Sequence, residues 1–317
     1  MSFVRDMREK VLSGEKISRE EAIRLAGTDI DIEELAEAAD RIREEYCSDR
    51  FDMCAVISVR GGRCSENCRF CPQASCSTSD IRTFPLLDPE TILSDAKARN
   101  ARHYCLVSSG RKMSREQIER LAEGVRMIRA ETALIPCVSL GLLEPEDLEL
   151  LRDAGVGRVH NNLETSETFF PKICTSHTWQ QKREVIRAAH EAGLEVCSGG
   201  IIGVGESVED RVDLAMAELD LGTESIPVNM LDPYPGSPLG ETPVLSEEEV
   251  RRTVAVFRFI LPDRWIRLAA GRDFLPDSGY RILRSGANAT ITGDMLNVKG
   301  ITETQDLEEI RRLGYLL

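Results

Sequence analysis

The chain has 317 residues, 42% hydrophobic and 30% charged, with a formal net charge of −14 at pH 7. That apolar content sustains a full core, and the length suits one large domain or two ordinary ones. The acidity disfavours phosphate backbones and anionic lipid, so neither a nucleic acid nor a membrane is an expected partner.

No apolar run in MSFVRDMREKVLSGEK has the length of a signal peptide, and no later stretch could span a bilayer. The expected setting is the cytoplasm, where ten cysteines point to metal or redox chemistry rather than disulfides.

In chain order, residues 1–50 carry the amphipathic patterns SREEAIRLA and DIEELAEAADRIREEY. They read as an N-terminal helical extension that plugs or flanks the domain formed by residues 51–317. From residue 53 apolar runs alternate with capped amphipathic helices, the runs being 53–59, 103–109, 134–140, 157–163, 194–200, 224–231, 265–271 and 288–293. Asp88-Pro89 supplies an N-cap with proline in the first turn. Ser114-x-x-Gln117 and Ser246-x-x-Glu249 are capping boxes, and Gly155, Gly193 and Gly222 stand where C′ glycines belong. Short two-sided apolar strands alternating with helices predict parallel βα units. Eight of them over residues 51–317 fit a closed (β/α)8 TIM-type barrel in a single domain. The alternative, an open doubly wound sheet, lacks its GxGxxG fingerprint after the first strand.

The strongest local signal comes after the first run, in Cys64-Ser65-Glu66-Asn67-Cys68-Arg69-Phe70-Cys71. Three thiolates spaced C-x3-C-x2-C can take three corners of a cubane iron–sulfur cluster and leave the fourth iron open to a small molecule. A zinc knuckle is the competing reading, but structural zinc wants four closed ligands and this loop contains no histidine. Cys105, Cys137 and Cys197 fall in the second, third and fifth runs, and Arg267 in the seventh. Singly, each cysteine reads as a small buried hydrophobe and the arginine as a carboxylate partner. Cys47 and Cys54 read as core. His103, His160, His177 and His190 show no metal-like pairing and read as structural or supporting groups.

C-x3-C-x2-C after the first strand of a βα barrel resembles the radical S-adenosylmethionine superfamily. The stretches CSENCRFCPQAS, HNNLETS, VCSGGIIGVGE, PVNML, IRLAAGR and SGANATITGDML resemble, in order and rough spacing, the biotin synthases over residues 50–300. That resemblance implies a [4Fe–4S] cluster on Cys64, Cys68 and Cys71, with S-adenosylmethionine at the open iron. Phe70 would lie near the adenine, Ser109 beside the methionine amino group, and Glu164 on the ribose hydroxyls. Gly199 and Ile201 belong to a GxIxGxxE stretch, with Gly203 and Glu206, that is associated with the adenosine; its competing reading is a strand-to-helix glycine turn. Asn162 and Asn229 match asparagines that contact S-adenosylmethionine and dethiobiotin. Cys105, Cys137, Cys197 and Arg267 match the ligands of an auxiliary [2Fe–2S] cluster that serves as the sulfur source.

The implied activity is sulfur insertion into dethiobiotin to give biotin, with flavodoxin or ferredoxin as electron donor and a homodimeric assembly. The acidic surface predicts a local basic patch where that donor docks. The alternatives are a related radical enzyme, of amino-acid mutase or hydrogenase-maturation type, and a non-catalytic iron–sulfur redox module. Cys76, in the cluster loop, reads as without a role unless the auxiliary cluster is larger, and Cys174 lies in PKICTSHTW, a stretch common in the family. The chain departs from the family pattern at His160-Asn161-Asn162 and at Asn297-Val298.

Overall fold

In the computed structural model, which describes residues 2–294 and 300–317, the eight apolar runs all become parallel strands. They are β1 (Asp52–Arg60), β2 (His103–Ser108), β3 (Ile135–Ser139), β4 (Arg158–His160), β5 (Glu195–Cys197), β6 (Gly200–Ile202), β7 (Ser225–Met230), β8 (Trp265–Leu268) and β9 (Ala289–Thr292). The order β5-β4-β3-β2-β1-β9-β8-β7-β6 closes through a pairing of Cys197 with Ser225. The fold is thus a closed (β/α)8 barrel. The fifth run breaks at Ser198-Gly199 into β5 and β6, which together occupy one barrel position, so Arg267 lies in β8.

Each strand alternates between two cores. Met53 and Ala55, Tyr104 and Leu106, Val138, Val159, Val196, Ile226, Ile266 and Leu268 point outward into the layer shared with the helices. Cys54, Cys105 and Cys137 point inward, with Val56 and Val107 beside them. Register fixes this agreement, because Cys105 sits opposite Cys137 and Cys137 opposite Arg158 on parallel neighbours. A TIM-type barrel ordinarily fills its interior with branched aliphatic residues. This one fills it with thiols and charges.

The cap signals are realised. Asp88, Ser114 and Ser246 each accept from the backbone N–H three residues on, and Gly155, Gly193 and Gly222 take positive φ. Helices 3–12, 19–25 and 32–47 precede β1. They flank the barrel rather than plug it, because helix 32–47 lies along helix 247–260 and helix 19–25 along helix 208–221. Arg251 pairs with Glu33, and Arg252 donates to the carbonyls of Gly27 and Ile30. Asn297 and Val298 lie outside the described residues.

Candidate active site

The cluster loop leaves β1 and folds on itself. Cys64 N–H donates to the Gln73 carbonyl at 2.8 Å, Cys71 N–H to Cys68 at 3.0 Å, and Ser75 N–H to Glu66 at 2.8 Å. Cys64, Cys68 and Cys71 are half-buried, while Cys76 is exposed with its thiol on the Asn67 carbonyl. Burial pushes the Cys71 thiol up to about 11. It therefore holds its proton until a metal displaces it.

Phe70, Cys71, Pro72 and Gln73 form one wall of a cavity of about 370 Å³ whose floor is the inner face of the barrel. Phe70 packs with Ile201 in a small apolar cluster that includes Phe169, Val204 and Leu231. This is a dry surface suited to a flat ring. Across the cavity stand Asn162, Glu164, Asn229, Cys105, Cys137, Cys197 and Arg267, so most of the expected site residues meet in one volume. Ser109 and Gly199 do not line it. Ser108 does, and the Ser109 carbonyl is taken by the Arg60 guanidinium. A Cβ on Gly199 would sit 2.2 Å from the Pro227 carbonyl oxygen, so this glycine permits close strand contact. Glu206 accepts from Gly203 and Val204 N–H at 2.8 Å each and pairs with Arg211 at 2.7 Å. Its carboxylate closes the turn.

Glu164 has φ +72°, a conformation that a non-glycine residue holds only when its surroundings over-determine it. Burial raises its pKa against the opposing effect of Lys182, whose Nζ is 3.7 Å away. Asn162 donates to Glu164 at 3.2 Å and accepts from Gly199 N–H at 3.2 Å. Asn229 donates to the Gly200 carbonyl and accepts from Ala270 N–H. Both amides are oriented by backbone on one side of the cavity.

Deeper in the barrel one carboxylate organises the charges. Asp52 is fully buried and takes Arg267 Nη2 at 2.5 Å, His103 Nδ1 at 2.7 Å and Arg158 Nη1 at 3.2 Å. Burial alone would disfavour its charge, but Arg267, His103 and Arg158 hold it well below the usual carboxylate range. Arg267 also donates to the Thr290 carbonyl at 2.7 Å and to Ser225 Oγ at 3.4 Å, so each of its nitrogens already has a protein acceptor. Its carboxylate partner, the competing reading of this arginine, is therefore present.

Cys54 corrects its reading as plain core. It lines the cavity and packs against Cys105 and Cys137, and the neighbouring Cys137 thiol lowers its pKa against the cost of burial. Asp52, Cys54 and Val56 share the parity that faces the axis, but alternation alone does not show which parity that is. Burial works against the charge of Cys197, but the neighbouring His160 and the charges of Arg267 and Arg158 bring its pKa down to about 6. His160 lines the cavity beside Cys197. His103 and His190 are structural, on Asp52 and Glu224.

His177 likewise has more company than its sequence context indicates. Among the described residues Cys68, Cys174 and His177 form a set of metal-ligating side chains whose donor atoms lie within 4.8 Å of one another. Cys174 is therefore a buried neighbour of the cluster loop. Cys47 is buried beside Arg258 and the Pro262 carbonyl, away from the site.

The radical SAM superfamily profile matches residues 58–217, and that of the Biotin and Thiamin Synthesis associated domain matches residues 227–316. Biotin synthase 2 of Corynebacterium diphtheriae is 45% identical over 319 residues, covering 99% of this chain and 96% of that protein. Biotin synthase of Akkermansia muciniphila is also 45% identical, with 99% and 98% covered. The chain belongs to the biotin synthase family. It is an enzyme of the radical S-adenosylmethionine superfamily, whose members carry a [4Fe–4S] cluster and use S-adenosylmethionine. Methylornithine synthase (TM-score 0.84, 20% identity, 98% and 96% covered) shares the barrel. So does the FeFe-hydrogenase maturase HydG from Carboxydothermus hydrogenoformans (0.82, 17%, 99% and 78% covered). No helix among the described residues is long and apolar enough to cross a membrane.

Proposed function

We propose that this cavity converts dethiobiotin to biotin by radical sulfur insertion. The observation that carries the reading is the inner face of the barrel, where four thiols and Arg267 share one cavity with the cluster loop. An amino-acid mutase, a hydrogenase-maturation enzyme or a redox module has no need of that thiol set beneath its cluster.

Cys64, Cys68 and Cys71 hold the [4Fe–4S] cluster, and their donor set fits it, being all sulfur, half-buried and open to the cavity through Cys71. When bound, the first cluster supplies the electron that opens the sulfonium of S-adenosylmethionine, and the auxiliary cluster supplies the sulfur. The chain's own groups bind, orient and exclude water. Phe70 and Ile201 cover the adenine, Glu164 accepts from the ribose hydroxyls, and Asn162 and Asn229 present amide edges to ribose and ureido groups, which need donor and acceptor together.

Cys105, Cys137 and Cys197 hold the auxiliary cluster, with Arg267 as the expected fourth ligand of a [2Fe–2S] centre. Cys54, packed against Cys105 and Cys137, is the second candidate for that fourth place. Cys76 is exposed on the loop and does not line the cavity. Flavodoxin or ferredoxin as electron donor, a cytoplasmic setting and a homodimer complete the proposal and rest on family membership.

The test is anaerobic reconstitution and then product analysis with dethiobiotin. Cys105→Ala, Cys137→Ala and Cys197→Ala should still release 5′-deoxyadenosine yet form no biotin. Arg267→Ala should be milder than these, because another donor replaces a nitrogen ligand more easily than a thiolate. Biotin formation at the wild-type level by all three of the first variants would overturn the sulfur source.

A further inference from the structure

Four residues from two distant segments converge behind the cluster loop. Cys174 Sγ lies 3.7 Å from Cys68 Sγ and 3.3 Å from His177 Nδ1. His177 Nδ1 is 2.6 Å from Glu66 Oε2, which also accepts from Ser176 Oγ at 2.8 Å and pairs with Arg111 at 3.1 Å. Cys174 and His177 are buried, and Glu66 is 7% exposed. The segment 173–177 is fastened to the loop by its backbone as well. Arg69 N–H donates to Ile173 at 2.9 Å, and Thr175 and Ser176 N–H donate to Asn67 Oδ1 at 2.9 and 3.0 Å.

A chain of sulfur, imidazole and carboxylate held this rigidly against a cluster cysteine has no place in the binding of S-adenosylmethionine or dethiobiotin, since neither Cys174 nor His177 lines the cavity. We propose that Cys174 is a positioning residue of the first cluster. Its thiol donates a hydrogen bond to the Cys68 sulfur, with His177 and Glu66 fixing its orientation, and this donor raises the reduction potential of the [4Fe–4S] centre. The inference rests on the proposed role of Cys68 as a cluster ligand.

The direction of the bond comes from proton inventory. An iron-bound Cys68 has no proton to give, so a hydrogen bond across the 3.7 Å sulfur–sulfur contact runs from Cys174. His177 in turn gives its Nδ1 proton to the Glu66 carboxylate, or shares it with Cys174. Reduction adds negative charge to the cluster and its sulfurs, and a fixed donor favours the state with more charge. Removing the donor therefore makes the cluster harder to reduce without removing a ligand.

The test is a potentiometric titration of the anaerobically reconstituted full chain. It tracks the EPR signal of the reduced cubane that changes when S-adenosylmethionine is added, which singles out the first cluster. Cys174→Ala should retain that signal and its iron but titrate at a more negative potential. Cys174→Ser, which restores a donor, should recover part of the shift, and His177→Ala should shift in the same direction by less. An unchanged potential in Cys174→Ala and His177→Ala, with the cubane intact, overturns the relay and leaves the cluster reading standing. Loss of the cubane in Cys174→Ala and Cys174→Ser alike, with its retention in Cys68→Ala, makes Cys174 a ligand and overturns it as well. A wild type that binds no cubane overturns the cluster reading and the relay together.

Discussion

Asp52 and Glu218 are both buried carboxylates, and their surroundings push them in opposite directions. Asp52 faces two arginines and a histidine, so its charge is stabilised in the fold. Its contribution is present above the ordinary carboxylate range and is lost as pH falls below it. Asp52→Asn should cost about 3–5 kcal/mol, because it leaves Arg267 and Arg158 without their buried counter-charge. Denaturant unfolding of the apo chain measures this directly. Among the described residues Glu218 forms no ion pair; it accepts from the hydroxyls of Ser198 at 2.7 Å and Thr223 at 2.6 Å, and burial lifts it from 4.5 to about 7. Its native state binds the proton more tightly than the unfolded chain does. Stability should therefore fall as pH rises from about 4.5 to about 7 and then level, by on the order of 3 kcal/mol at full effect. Glu218→Gln should flatten that slope in a series of melting temperatures against pH. An unaltered slope would mean that Glu218 is already ionised in the fold.

Elements show how much was legible in the chain. All eight apolar runs become strands, because each is a short, near-continuous apolar run of the kind a strand covered on both faces needs, and the helix caps are local hydrogen-bond chemistry. The break in the fifth run was not legible. It exists because Gly199 passes 2.2 Å, in Cβ terms, from the Pro227 carbonyl and Gly200 equally close to that of Glu164, contacts made only by the closed barrel. Gly199→Ala should accordingly cost on the order of 3 kcal/mol and disturb the Asn162 amide that the Gly199 N–H orients. A melting curve and the affinity for S-adenosylmethionine check the two halves of that expectation. The cluster loop was legible since its cysteines lie within eight residues. Cys54 was not, because alternation alone does not say which parity faces the axis, nor was Cys174, which is brought to Cys68 across 106 residues of sequence.

At the scale of the whole molecule, a chain of net charge −14 repels an acidic electron carrier unless cations gather where it docks. Around the cluster loop Arg63, Arg69 and Lys172 are exposed, with Arg69 reaching the Lys172 carbonyl. Arg69→Glu with Lys172→Glu should slow turnover with flavodoxin several-fold at low salt and weaken or reverse its loss with added salt, leaving turnover with dithionite unchanged. Equal loss with both reductants would place the effect in the cluster loop itself.

The most direct measurement is a single-turnover incubation of the reconstituted chain under anaerobic conditions with dethiobiotin and S-adenosylmethionine. Iron and acid-labile sulfide are counted before it, and biotin and 5′-deoxyadenosine after it. A sulfur source held by Cys105, Cys137 and Cys197 predicts iron beyond one cubane, biotin formed with loss of sulfide, and about two 5′-deoxyadenosine per biotin, one for each C–H bond opened. Biotin made by a protein that holds only one cubane's worth of iron would contradict it.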